Sequence, residues 1–229
     1  MVDLNEKLGG MSLIEGLEFV SKNFQGKVVF SSSFGQEDQV ITDAIFKNDL
    51  PIEIFTLDTG RLFPETYELM DKTKNRYKKS FKTYFPNAID IEEFVEKKGF
   101  NSFYESVENR KACCNIRKIV PLQRALKGAE VWITGLRAEQ SANRADMPIW
   151  ENDEANNVYK FNPLLKWTLE EVEAYLKEHN VPQNTLHSKG FVSIGCQPCT
   201  RAISKGEDPR AGRWWWEVSQ KECGLHAVK

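Results

Sequence analysis

Five cysteines are the residues most able to do chemistry in this 229-residue chain: Cys113, Cys114, Cys196, Cys199 and Cys223. Cys196-Gln197-Pro198-Cys199 is a loop chelate, because two intervening residues let both thiolates turn toward one centre. Cys113 and Cys114 are adjacent. Two such pairs can converge on a structural zinc or on an iron–sulfur cluster. Adjacent side chains reach separate irons of a cubane more easily than two vertices of one small tetrahedron, which favours a 4Fe–4S cluster. The plainer readings are that Cys113 and Cys114 are buried as small apolar residues, or that the CxxC is a redox pair. A redox CxxC is expected to follow a strand and open a helix, so pairing with Cys113 and Cys114 fits better. Cys223 stands alone in Lys221-Glu222-Cys223-Gly224-Leu225-His226. A cysteine so placed is by default inert. A neighbouring Lys and His can nevertheless lower a thiol pKa and orient a reacting anion, and Gly224 supplies freedom to move.

A second chemical signal is SSSFGQED (31–38), which lies between a short apolar run and an apolar helical pattern. Backbone N–H groups and the helix dipole hold anions at such a junction, and Gly35 lets a ligand approach the backbone. The motif matches neither the Walker pattern nor the dinucleotide fingerprint, and an ordinary capped connection explains it equally well on its own. A further loop, Leu57-Asp58-Thr59-Gly60, would lie beside it in a parallel sheet and strengthens the anion reading.

The elements that must position these loops are legible. Leu13, Leu17, Val20 and Phe24 recur at helical spacing. Residues 27–33, 52–58, 81–85 and 130–136 read as strands, and Pro64 suits the first position of a helix. Thr168-Leu169-Glu170-Glu171 fits a capping box. Strands alternating with helices imply an α/β fold, a parallel sheet flanked by helices, with ligands beyond the carboxyl ends of the strands. Residues 1–186 are expected to form the nucleotide-binding α/β part, carrying Cys113 and Cys114. Residues 187–229 are expected to form a cluster-binding appendage of the same domain, ending in a mobile catalytic tail.

Composition narrows the class. Hydrophobic residues are 41% and charged residues 28% of the chain, which supports a sizeable core. The 31 Lys plus Arg against 33 Asp plus Glu argue against nucleic acid as a partner. No apolar run approaches the roughly 20 residues of a membrane span, and the first residues lack a secretion signal.

Taken in order, SSSFGQED, LDTG, RKACCNIRKIVPL, GLRAEQSANR, GCQPCTRAISKGEDPRAGRWWWE and KECGLH resemble the bacterial assimilatory adenylyl-sulfate reductases. The resemblance runs from about Lys27 to His226 and implies an adenine nucleotide alpha-hydrolase-like fold. It implies reduction of adenylyl sulfate to sulfite and AMP through an S-sulfocysteine on Cys223, with electrons from thioredoxin or a glutaredoxin-like dithiol protein. It implies one 4Fe–4S cluster per chain held by Cys113, Cys114, Cys196 and Cys199. Lys118, Arg210, Arg213 and His226 are carried over with Cys223 as catalytic residues. Ser32, Ser33, Gly35, Leu57, Asp58, Thr59, Gly135, Arg137 and Arg144 are carried over as nucleotide contacts. For each arginine the plainer role is a structural ion pair. The aromatic run Trp214-Trp215-Trp216 is expected to pack the appendage rather than stack on adenine.

Three rivals stand beside this reading. The first is a phosphoadenylyl-sulfate reductase or dual-substrate enzyme, which the four cluster cysteines disfavour. The second is an adenylating sulfur-insertion enzyme, expected to carry an SGGxDS loop. The third is a metal-and-nucleotide sensor with an unreactive Cys223. No fused thioredoxin-like segment follows KECGLH, so an external donor is expected. A reduced thiol and an oxygen-sensitive cluster suit the cytoplasm, and self-association is left open.

Overall fold

The computed structural model describes residues 3–141 and 144–217. After a short opening helix, α1 (Leu4–Gly9), the apolar stripe of Leu13, Leu17 and Val20 forms α2 (Leu13–Asn23). Ser12 and Glu15 close its first turn as a reciprocal capping box. The chain then alternates through β1 (Lys27–Ser31), α3 (Gln36–Lys47), β2 (Glu53–Leu57), α4 (Pro64–Tyr77) and β3 (Lys82–Tyr84). It continues through α5 (Ala88–Lys98), α6 (Val107–Cys114), a π turn (Asn115–Ile119) and α7 (Val120–Leu126) to β4 (Ala129–Ile133). A hairpin, β5 (Trp150–Asp153) and β6 (Val158–Phe161), precedes α8 (Leu169–Glu178).

The six strands form one sheet in the order β3-β2-β1-β4-β6-β5. Every pairing is parallel except β5 with β6. The expected parallel sheet flanked by helices is thus present, with one antiparallel edge added to it. The strands of that edge lie around the polar stretch Glu151-Asn152-Asp153-Glu154-Ala155-Asn156-Asn157, which shows no apolar alternation to announce them. The expected strands at 27–33 and 130–136 are shorter than read, because their last residues leave the ladder to become loops.

Side chains alternate across the sheet as the pleat requires. Val28 and Phe30 of β1, Ile54 of β2 and Val131 and Ile133 of β4 join Leu17, Ile41 and Leu176 in the core under α2, α3 and α8. Val29, Phe55 and Trp132 face the other way, onto Leu122, Ala125 and Leu126 of α7. Both faces are therefore covered, and the strand centres are apolar throughout. No helix among the described residues is long and apolar enough to cross a membrane.

Two features of this topology position a site. The chain steps outward from β1 to β2 and β3, then returns to β4 on the other side of β1. The connections leaving the carboxyl ends of β1 and β4 therefore diverge and open a crevice between them. The second feature is Pro121, which sits inside a continuous helical run and has no N–H to give. In the turn before it the helix widens, and the Val120 N–H reaches back five residues to the Asn115 carbonyl. Arg117 and Lys118 ride on that widened turn.

Candidate active site

The loop after β1 is built around Asp38. The backbone N–H and hydroxyl of Ser33 donate to its Oδ2 at 2.5 and 2.7 Å. Burial pushes the Asp38 carboxyl up to about 7, against the pull of the two Ser33 hydrogen bonds, and Glu37 adds to the rise. Ser32 Oγ accepts from the Phe34 N–H at 3.2 Å, and Phe34 adopts a φ of 60°. The loop after β4 closes directly on this carboxylate: a Cβ on Gly135 would fall 2.0 Å from Asp38 Oδ1. Gly135 is thus required for the two loops to meet.

The loop after β2 is fastened to the cysteines. The Thr59 hydroxyl lies 3.2 Å from Cys196 Sγ. Arg117 Nη1 donates to the Thr59 carbonyl at 2.6 Å, and the Gln197 N–H donates to the Arg61 carbonyl at 2.8 Å. Asp58 accepts from the Gly60 N–H and the Tyr67 hydroxyl, at 2.7 and 2.9 Å, and so shapes its own turn.

These loops bound a cleft of about 420 Å³, the size of a small-molecule site. Ser32, Ser33, Gly35, Leu57, Thr59 and Gly135 line its sheet side. Lys118, Arg210 and Arg213 line the same cleft, as do Arg137 and Arg144. Asp58 alone of the described nucleotide candidates does not. Arg137 is held by two carboxylates, Nε to Glu37 at 2.8 Å and Nη1 to Glu139 at 3.0 Å. The ion-pair role weighed for arginines from the sequence therefore applies to it. Arg144 donates to the Gln140 side-chain carbonyl. Cys223 and His226 lie outside the described residues.

Behind the cleft, Cys113, Cys114, Cys196 and Cys199 all line one small void of about 20 Å³. None of the four is in a disulfide, and three are buried. Phe103 and Trp214 pack around them, so the first tryptophan of the run is a core residue. Lys118, Cys196 and Trp214 line both the void and the cleft and form the partition between them. Burial alone would raise the Cys196 thiol, but Lys118, the Thr59 hydroxyl, Arg213 and Arg117 outweigh it and hold it below its ordinary value. Burial, with Cys196 alongside, pushes Cys199 up to about 12. Among the described residues no group of three or more His, Cys, Asp or Glu is set to hold a single metal ion. The donor set is nonetheless one of thiols only, and Arg61, Arg110, Arg117 and Lys118 line the same void. That charge suits an anionic, thiolate-rich group spread over more than one metal atom.

Several of these residues escape sequence reasoning. Arg117, Asp38 and Trp132, whose indole N–H donates to Ser31 Oγ at 2.8 Å, are buried at or beside the site. Arg117 flanks the cysteine pair, but nothing in its type announces burial, since arginine is ordinarily exposed.

Residues 27–202 match the family model of the phosphoadenosine phosphosulfate reductase domain. The chain belongs to that family. Among relatives within it, the adenosine 5'-phosphosulfate reductase of Agrobacterium fabrum is 51% identical over 98% of this chain and 86% of its own. That of Allochromatium vinosum is 52% identical over 87% and 78%. A crystal structure of phosphoadenylyl-sulfate reductase from Candida auris, a phosphate complex, superposes with a TM-score of 0.74 at 32% identity, covering 87% of this chain and 94% of that one. Candida glabrata FMN adenylyltransferase, with FMN and an ATP analogue, superposes at a TM-score of 0.55 and 16% identity over 93% and 79% of the two chains, a likeness of fold alone.

Proposed function

We propose that the chain reduces adenylyl sulfate to sulfite and AMP in assimilatory sulfate reduction. The observation that carries this is the cleft itself: hydroxyl-bearing loops and the cations Lys118, Arg210 and Arg213 line one cavity, and a cysteine-lined void shares Lys118, Cys196 and Trp214 with it. Relatives at about half identity over nearly the whole chain are named adenosine 5'-phosphosulfate reductase. In this reading the Ser32–Gly35 loop, Leu57, Thr59 and Gly135 seat the nucleotide. Lys118, Arg210 and Arg213 meet the phosphosulfate and stabilise charge on the leaving phosphate.

The nucleophile is the Cys223 thiolate. A bond forms between its Sγ and the sulfate sulfur, the bond from sulfur to the bridging phosphate oxygen breaks, and AMP departs with that electron pair. A thiolate of an external dithiol protein, thioredoxin or a glutaredoxin-like protein, then attacks Cys223 Sγ and expels sulfite. The donor's second thiol resolves the mixed disulfide and returns Cys223 reduced. Two electrons pass from the dithiol to sulfur. His226 is the companion base of the same tail. Residues 1–186 act as the nucleotide-binding part and 187–229 as the cluster-binding and catalytic segment.

Cys113, Cys114, Cys196 and Cys199 would hold a 4Fe–4S cluster. Bound there, it supplies a fixed charge and a structural crosslink beside the sulfate site. Cys196→Ser is expected to abolish bound iron and acid-labile sulfide, assayed after anaerobic purification, while AMP still binds.

A second reading, phosphoadenylyl sulfate as substrate, is favoured by the Candida auris likeness. Against it, Arg137 is already matched by two carboxylates and offers no spare charge for a further phosphate. The deciding assay supplies each nucleotide in turn with a dithiol donor and measures sulfite and the released nucleotide. Equimolar sulfite and AMP from adenylyl sulfate alone support the proposal. Turnover of phosphoadenylyl sulfate alone, or of neither, contradicts it.

A further inference from the structure

The last described residue is fixed by a contact that the chemistry above does not use. Glu217 is buried, and its carboxylate receives a two-pronged grip from Arg110: Nε donates to Oε1 at 2.9 Å and Nη2 to Oε2 at 2.8 Å. The two side chains are 2% and 4% exposed. Arg110 lies on α6, three residues before Cys113. Its guanidinium also lies 4.7 Å from the centre of the Trp214 ring, and that of Arg213 lies 4.8 Å from the same ring. The backbone is tied as well, since Trp214 N–H donates to the Cys199 carbonyl and Glu217 N–H to the Trp214 carbonyl. Residues 214–217 are thereby fastened to both cysteine-bearing segments.

A buried ion pair is a costly way to fasten two elements. Both charges must leave water, and an apolar pair of equal volume often does as well or better for stability. What an ion pair adds is register: a bidentate fork meets a carboxylate in one orientation. The site of that register is telling. Cys223 stands six positions after Glu217, so covalent geometry confines it to within about 20 Å of Glu217.

We propose that Arg110 and Glu217 are a positioning pair that fixes residues 214–217 to the cysteine helix and so governs how readily the Cys223 thiolate meets the sulfate. This rests on the reading of Cys223 as nucleophile. The pair touches neither nucleotide nor sulfate. It raises the effective concentration of the Cys223 thiolate at the sulfate.

The test compares the full-length, cluster-loaded protein with Glu217→Gln, Glu217→Ala and the apolar double variant Arg110→Met/Glu217→Leu. Three quantities are read: hydrogen exchange of the Trp214 and Glu217 amides, affinity for AMP, and the single-turnover rate constant for sulfonation of Cys223 at saturating adenylyl sulfate. The expected result is exchange at those amides faster by roughly tenfold or more in Glu217→Ala, AMP affinity unchanged, and the sulfonation rate constant lower by a similar factor without a change in half-saturation. Should Glu217→Ala fail to fold, Glu217→Gln and the double variant carry the same readings. A role in stability alone is told apart by the double variant, compared at iron and acid-labile sulfide content matched to the unmodified protein because Arg110 lines the cysteine void; it would then sulfonate at the unmodified rate and overturn the proposal. Unchanged exchange, or faster exchange with an unchanged rate constant, would also overturn it. Absence of any sulfonate on the unmodified protein would instead overturn the Cys223 reading, and exchange at Trp214 and Glu217 would still decide the anchor.

Discussion

Asp38 illustrates how a single side chain ties the loops after β1 and β4 together and what that costs. It is buried, accepts from Ser33 twice and leaves no space for a Cβ at Gly135. Its native pKa, about 7, lies above the unfolded value of a carboxyl. Between about pH 4 and 7 the native state therefore binds more protons than the unfolded state, and stability falls as pH rises through that window. Asp38→Asn keeps an acceptor for Ser33 and removes the charge. Its thermal midpoint should match that of the unmodified protein near pH 4.5 and exceed it by about 3 °C or more at pH 8, measured by calorimetry across that range. Gly195 makes a similar demand, since a Cβ there would fall 2.3 Å from Arg213 Nη2. Gly195→Ala should push Arg213 off its place on the cleft wall and lower kcat/KM for adenylyl sulfate by roughly a hundredfold, with the fold retained by circular dichroism. At this scale the cysteines were legible because thiol spacing is itself a chemical statement. Arg117 and Asp38 were not, because charged residues are expected at the surface and burial is decided by tertiary packing.

The elements show the same division. Capping boxes are local, so the start of α8 could be read directly: Thr168 Oγ1 accepts from the Glu171 N–H at 3.2 Å, and Glu171 returns a bond to the Thr168 N–H at 2.7 Å. Thr168→Ala should cost about 1 kcal/mol and lower the thermal midpoint by about 2–4 °C, with AMP affinity unchanged by titration calorimetry. Apolar strand centres were equally plain in β1, β2 and β4, because strands buried on both faces show as continuous apolar runs. The β5–β6 hairpin left no such trace, since its residues show no apolar alternation and β6 lies beside β4 through a non-local pairing. Nor could the π turn be foreseen, although Pro121, which accounts for it, stands in plain view. The turn before Pro121 differs from an α-helix by one residue in hydrogen-bond span, and Lys118, which lies on it, lines both the cleft and the cysteine void.

At the scale of the whole molecule, one partition organises the protein. The crevice that the β1 and β4 connections open lies on one side of Lys118, Cys196 and Trp214, and Cys113, Cys114 and Cys199 lie on the other. Hydrogen bonds from Thr59 and Arg117 carry that partition into the β2 loop, so that loop is joined directly to both cysteine-bearing segments. The order of motifs along the chain was enough to bring these parts together on paper. Their mutual fastening was not, because it runs through pairs more than fifty residues apart. The central claim is that this assembly presents adenylyl sulfate to Cys223. The most direct test is the intact mass of the anaerobically prepared, cluster-loaded protein after mixing with adenylyl sulfate and no reductant, beside Cys223→Ser. The account predicts one sulfonate adduct that maps to Cys223 and is absent from the variant. No adduct on a protein that still binds AMP, or an adduct that persists in Cys223→Ser, would contradict it.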